Sequence, residues 1–311
     1  MTENEVLENS VKNSVINYKS DKTTLSKIGM SYFFLLLIMF IIPTVLIGIF
    51  HTNDNNFALL FNFIGFVVGF IFLRYYIKKI PKSDNIENNS LSIYKYVYYL
   101  IMGYGLMIFG YFISNILKGF FVPTGVDPLQ TLQSSNIIGT FFYAVIFGPI
   151  FEEYFFRKFL IDRTIRYGEL FAVLTSAFMF MIYHMNIYQF LGVFLFGIIL
   201  AHVYIKTNNI LYTITMHQIG NFLGLIVPTV IGSSKVLIDG YNIFEFVLMC
   251  LSIGFFIYYL YYVKFKNNTG LSNRELFKMF FTNTGTILFI LFGLVIALLN
   301  LNMPWIVSLL H

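Results

Sequence analysis

The chain is a succession of apolar runs, each close to the length that a bilayer demands. Crossing a hydrocarbon core of ~30 Å takes ~20 apolar residues in a helix. Residues 30–50, 57–77, 93–117, 137–160, 170–187, 189–206, 209–228, 243–263 and 284–309 each approach or exceed that length. In lipid every backbone N–H and C=O has to be satisfied inside the segment, so runs of this kind fold as helices. The expectation is an all-α, polytopic transmembrane bundle of about nine spans. The polar stretch Met185-Asn186-Ile187-Tyr188-Gln189 is a very short turn; if it is a kink instead, the count falls to about eight. Composition agrees, with 58% hydrophobic and 11% charged residues, where a soluble domain carries about 25% charge. The single cysteine, Cys250, lies in an apolar run and provides neither a disulfide nor a cysteine-rich metal site.

Charge placement orients the bundle. Residues 1–29 are a polar tail of mixed charge with no basic-then-apolar start, which argues against a cleaved signal peptide. The loop 51–56 has no Lys or Arg. By contrast, Arg74, Lys78, Lys79 and Lys82 follow the second run, Lys158, Arg163 and Arg166 the fourth, Lys206 the sixth, and Lys264, Lys266, Arg274 and Lys278 the eighth. With a cytosolic amino terminus all of these clusters fall inside, and only Lys118 and Lys235 face outward. The net charge of +5 thus reflects membrane topology, and no nucleic acid partner is expected. A composition rich in Asn, Ile and Lys suggests an AT-rich bacterial genome, hence a bacterial plasma membrane.

Few ionisable groups stand inside the runs: Glu152, Glu153, Arg157, His184, His202 and His217, with Asn221 beside them. An ionised group in hydrocarbon costs roughly 2.5–3.5 kcal/mol on insertion scales, so each needs a partner or a purpose. Glu153 and Arg157 are four apart and share a helix face; the plain reading is a neutralising ion pair. Glu152 points about 100° away and is left over, and Pro149 just before it favours a kink that widens a cavity. His184 alone reads as interfacial, as does His202, one turn from Lys206. His217 and Asn221 share a face and could simply bond neighbouring helices. Together, however, an acid, two histidines and an asparagine on three runs can converge on one water. Glu152 would take its proton, His184 would orient it, and His217 with Asn221 would face the oxyanion formed at a peptide carbonyl. A competing version holds zinc on Glu152, His184 and His217 and uses a metal-bound water.

The motifs Glu152-Glu153-x-x-x-Arg157, Phe180-x-x-x-His184 and His217-x-x-x-Asn221 resemble the signatures of the CPBP intramembrane proteases. This family (CAAX proteases and bacteriocin-processing enzymes, also called Abi) includes the type II CAAX prenyl endopeptidases. The resemblance covers residues 135–228, a catalytic core between three helices with their loops (30–134) and the carboxyl-terminal helices (229–311). It implies Glu152 as general base, His184 as its partner on the water, His217 and Asn221 as the oxyanion site, and Glu153 with Arg157 in support. It also implies a helical bundle with its cavity open to the cytosol, and a glutamate-activated water in place of a metal. On straight helices with these boundaries, Glu152 and His184 would stand on the order of 15 Å apart in depth.

The leading functional expectation is an endopeptidase cleaving a membrane-embedded or membrane-associated peptide near the cytosolic leaflet, and the resemblance implies bacteriocin processing, bacteriocin immunity or the maturation of signalling peptides as roles. The alternatives are a non-enzymatic scaffold or regulator of cell-envelope proteins, and an ion or solute carrier using Glu152. The lipid bilayer is a partner in all three.

Overall fold

A computed structural model describes residues 18–83, 86, 88–121, 135–267 and 269–301, and among these there is no strand. Ten helices follow in order: α1 (Tyr18–Phe50), α2 (Asn55–Ile77), α3 (Ile93–Phe121), α4 (Ile137–Tyr167), α5 (Glu169–Tyr183), α6 (Phe190–Thr207), α7 (Ile210–Ile231), α8 (Lys235–Tyr262), α9 (Asn273–Phe281) and α10 (Thr284–Leu301). The protein is an all-helical membrane bundle. Seven helices are long and apolar enough to cross, or eight if α9 and α10, bent by 67° at their junction, form one broken span. The remaining apolar run is α5, whose 15 residues reach about 22 Å, short of the hydrocarbon thickness.

Several boundaries differ from the hydropathy reading, among them the eighth run, whose helix starts at Lys235 and not at residue 243, and two differences bear on how the helices are anchored. The first helix begins at Tyr18, so the polar stretch up to residue 29 is its first turns, anchored where the Asp21 carboxylate accepts from the Tyr167 hydroxyl at 2.9 Å. Residues 1–17 of the expected tail, and 302–309 of the last run, lie outside the described residues. The fourth run continues as helix past residue 160 to Tyr167. The extra turns hold because their polar side chains are occupied: Arg163 donates from Nε to the Ile77 carbonyl at 2.9 Å and from Nη1 to Phe159 O at 2.9 Å.

Chain direction alternates along the bundle, and long-range contacts separate its two ends. At one end Arg166 pairs with Asp21 (3.3 Å), Lys82 with Asp162 (3.7 Å), and Lys206 with Glu169 (2.9 Å); the Lys266 backbone N–H donates to Glu169 as well. This is the end to which the basic clusters belong. At the other end the Asn136 N–H donates to Asn56 Oδ1 (3.0 Å), Lys118 lies over the Tyr188 ring, and Asn300 donates to Met185 O.

Helices α4 and α5 form an antiparallel hairpin about Gly168, whose φ of 103° is open to glycine and strained for other residues. Helix α6 returns beside α5. The stretch after His184 is a true turn, with Met185 at a φ of 47°, and not a kink. Where α6 meets α3, Gly110 and Gly192 face each other so closely that a Cβ on Gly110 would lie 2.4 Å from the Gly192 Cα. That contact lets the two backbones touch in a bundle otherwise filled by aromatic rings.

Candidate active site

Helix α4 is not a regular α-helix. It runs as π-helix over Phe141–Phe147 and again over Tyr154–Ile161, with an α-helical turn, Gly148–Glu153, between them. Wide turns of this kind release backbone carbonyls and occur at functional sites. Here the released groups are taken by neighbouring side chains. Asn221 Nδ2 donates to Ala144 O (2.8 Å), Gln218 Nε2 to Ile146 O (3.4 Å), and Ser176 Oγ to Phe156 O (2.8 Å). The Tyr32 hydroxyl donates to Phe155 O. The α-turn held between the two wide segments carries Glu152 and Glu153.

The two carboxylates divide as their helix positions require. Glu153 is fully buried, with Oε2 3.1 Å from Arg157 Nε, itself fully buried, and Oε1 2.9 Å from His217 Nδ1. The Arg157 guanidinium lies over the Phe180 ring, 4.5 Å from its centroid, and the Phe156 ring packs against Phe180 at a tilt, 5.3 Å between centroids. Glu152, 12% exposed, turns instead into a cavity of about 770 Å³. Its Oε2 lies 3.6 Å from His217 Nε2, so His217 stands between the two acids, one on each ring nitrogen.

His184 closes α5 as its C-cap, and its Nδ1 lies 2.8 Å from Phe180 O. That carbonyl can only accept, which assigns the proton to Nδ1 and leaves Nε2 with a lone pair. His184 lines the same cavity as Glu152, His217 and Asn221. The depth difference expected from straight, independent spans does not occur. Glu152 and His184 stand equally far in residue number before and after the Gly168 turn, and partners at equal distances from the turn of an antiparallel hairpin lie level. The rings confirm the register: Tyr183, next to His184, packs on Phe155 and Phe156, one turn past Glu152.

Asn221 is partly committed. One amide N–H is bound to Ala144 O, and the second remains, since a carboxamide carries two. His202 is not among the residues that line the cavity. It is buried between α3, α6 and α8, with the Tyr99 hydroxyl 3.4 Å from Nε2 and the Tyr259 ring edge-on at 4.9 Å.

Two features of the cavity escape the motif reading. First, it occupies the half of the bundle away from the basic end. Its walls include Asn55 and Asn62 at the start of α2, the exposed Asn115 late in α3, Gln189 beside the α5–α6 turn, and Pro228 late in α7. The buried Glu153, Arg157 and Phe156 seal the side toward the basic loops. The polar residues of its described lining thus lie away from the basic loops. Second, Glu245 of α8 lines the cavity too. It is an acid inside an apolar run, the same signal that marks Glu152.

Among the described residues no three His, Cys, Asp or Glu side chains are gathered as a ligand set. His217 Nδ1 and His184 Nδ1 are hydrogen-bonded to Glu153 and to Phe180 O, which leaves Nε2 as the other nitrogen of each ring, an arrangement that metal-binding histidines also use.

A helical membrane bundle with an acid–histidine–amide cavity between α4, α5 and α7 is the class of protein that fold and site define. Comparison with known proteins narrows it: residues 134–223 match the family model described as type II CAAX prenyl endopeptidase Rce1-like. That segment holds all three motifs. The chain is also similar to UPF0177 protein YvdC of Lactococcus lactis subsp. lactis (strain IL1403), 26% identical over 142 residues, which are 42% of this chain and 53% of that protein. It thus spans about half the length of the curated relative it matches. No solved structure matches the chain.

Proposed function

We propose that this protein is an intramembrane endopeptidase that hydrolyses a peptide bond with a water activated by Glu152. The observation that carries the reading is the meeting of Glu152, His184, His217 and Asn221 on one cavity, with Glu152 and His217 3.6 Å apart, inside a segment that matches a peptidase family. A water between Glu152 and His184 would donate one hydrogen bond to each, the His184 Nε2 lone pair fixing its direction. Glu152 takes the proton as the oxygen adds to the scissile carbonyl. His217, whose Nδ1–H the Glu153 carboxylate accepts, and the second N–H of Asn221 face the oxyanion. Collapse breaks the C–N bond, and Glu152 returns the proton to the departing amine.

Glu153 and Arg157 are positioning residues. Held by Arg157, Glu153 keeps the His217 ring turned toward Glu152. Glutamate chemistry is preferred over zinc because Glu152 remains free to act as a base; stoichiometric zinc in the purified, active protein would reverse that choice.

The positive-inside rule is the basis for placing the amino terminus and the basic end in the cytosol of a bacterial cell. The cavity then receives peptide from the outer half of the membrane, a side suited to processing or resisting peptide bacteriocins or maturing exported signalling peptides. The test compares membrane and secreted peptides, by mass spectrometry, in cells carrying the wild type or Glu152→Gln. New peptide termini that need Glu152 are expected. A Glu152→Gln strain with the same peptides and an unchanged phenotype would indicate a scaffold. Orientation is read separately in a Cys250→Ser background: a membrane-impermeant maleimide should label Asn115→Cys in intact cells and spare Lys82→Cys.

A further inference from the structure

Glu245 has no place in the reaction just described, yet it stands in the same cavity. Tyr241, one turn earlier on α8, and Tyr104 of α3 both donate their hydroxyls to its Oε1, the second at 3.0 Å. The Tyr241 hydroxyl is fixed in turn near Leu223 O on α7, at 2.9 Å. Three helices therefore hold one carboxylate oxygen in place. Among the described residues Oε2 accepts no hydrogen bond, and no Lys, Arg or His pairs with Glu245.

Glu245 is half-buried, and its contrast with the buried acids is chemical. Glu153 has Arg157, Asp162 has Lys82 and Lys158, Glu169 has Lys206, and Asp21 has Arg166. The cavity wall carries two carboxylates, Glu152 and Glu245, and no Lys or Arg among its described residues. Two hydroxyls lessen the cost of an ionised carboxylate at this depth without neutralising it. What is missing among the described residues is a cation, and Glu245 lines the cavity that would admit the substrate.

We propose that Glu245, presented by Tyr104 and Tyr241, is a subsite for a cationic group of the peptide substrate, an ammonium or guanidinium bound while the scissile bond lies at Glu152. The proposal rests on the peptidase reading for the identity of the ligand. The tyrosines fit the role: they fix the rotamer of the acid, and their rings form an apolar wall for the stem of a Lys or Arg side chain.

The test reads binding apart from cleavage. Glu152→Gln protein in nanodiscs is titrated with fluorescent apolar decapeptides that differ at one position: Lys, Arg, norleucine or Glu, each with a free or an acetylated amino terminus. Acetylated Lys and Arg peptides should bind about tenfold tighter than norleucine, as a charge-assisted contact would give, and the Glu peptide should bind weakest. In Glu152→Gln/Glu245→Gln that ratio should fall toward one, whereas Glu245→Asp should keep part of it. Gln still accepts from both tyrosines, and an unchanged melting temperature verifies the fold. A preference seen only with free amino termini assigns the subsite to the peptide's terminal ammonium. Equal affinities across the series, or a preference that survives Glu245→Gln, would overturn the proposal. If the preference holds while wild-type protein cleaves none of the peptides, the subsite stands and the peptidase reading falls.

Discussion

The two ends of this bundle handle charge in opposite ways. At the basic end every buried acid named above is matched: Asp21, Asp162 and Glu169 each meet a Lys or Arg, and a tyrosine hydroxyl or backbone N–H completes the coordination. In the cavity half, Glu152 and Glu245 face open space bordered by amides and tyrosines. Glu153 lies at the border between these regimes, paired to Arg157 on one side and holding His217 on the other. Matched charge holds helices together, whereas unmatched charge within the same hydrocarbon thickness is reserved for what enters.

That division can be broken at several points. The largest effect belongs to Glu152→Gln, which should lower peptide cleavage by about a thousandfold, within the range of general-base loss, while the melting temperature stays level. A large loss of folded protein instead would place Glu152 among the matched charges. Next comes Arg157→Met. It leaves Glu153 buried without its cation, a defect that costs about 3–5 kcal/mol, so purified yield and thermal stability should fall steeply. The paired change Glu153→Gln/Arg157→Met should recover much of the stability without recovering cleavage, because the Gln no longer holds His217 as an anion does. Third, Tyr32→Phe removes the hydroxyl that satisfies Phe155 O in the second wide turn of α4, for about 1 kcal/mol, seen as a modest drop in denaturation midpoint. Smallest is Lys206→Met: the pair with Glu169 is partly exposed, and a change of roughly 0–1 kcal/mol with normal activity is expected. A comparable loss at Lys206 and Arg157 would erase the distinction between the two ends.

The motif residues were legible because an ionisable side chain in an apolar run is conspicuous, and helical spacing separates Glu152 from Glu153 without any structure. Glu245 bears the same mark, between Phe244 and Phe246, and was passed over because no second motif residue flags its neighbourhood. Its partners, Tyr104 and Tyr241, look like ordinary aromatic residues of a membrane helix. Hydropathy misplaced the end of α4 for a related reason. Asp162, Arg163 and Arg166 read as loop, yet each is bonded to another segment, so the helix continues through them. That error produced the false difference in depth between Glu152 and His184. The position of the cavity was also out of reach, since it follows from how eight helices meet around it.

The Gly168 hairpin has a consequence for how this chain can change over time. Because Glu152 and His184 meet by lying level on two arms, their encounter depends on the number of residues in each arm more than on which residues those are. One residue inserted between Gly168 and His184 would carry the imidazole about 1.5 Å along the helix and about 100° around it. One removed from the wide turn at Tyr154–Ile161 would rewind α4 and turn Glu152 away in the same manner. Substitutions along the lipid-facing sides of these arms should be tolerated freely, but insertions and deletions should not. The length between the motifs is itself part of the site.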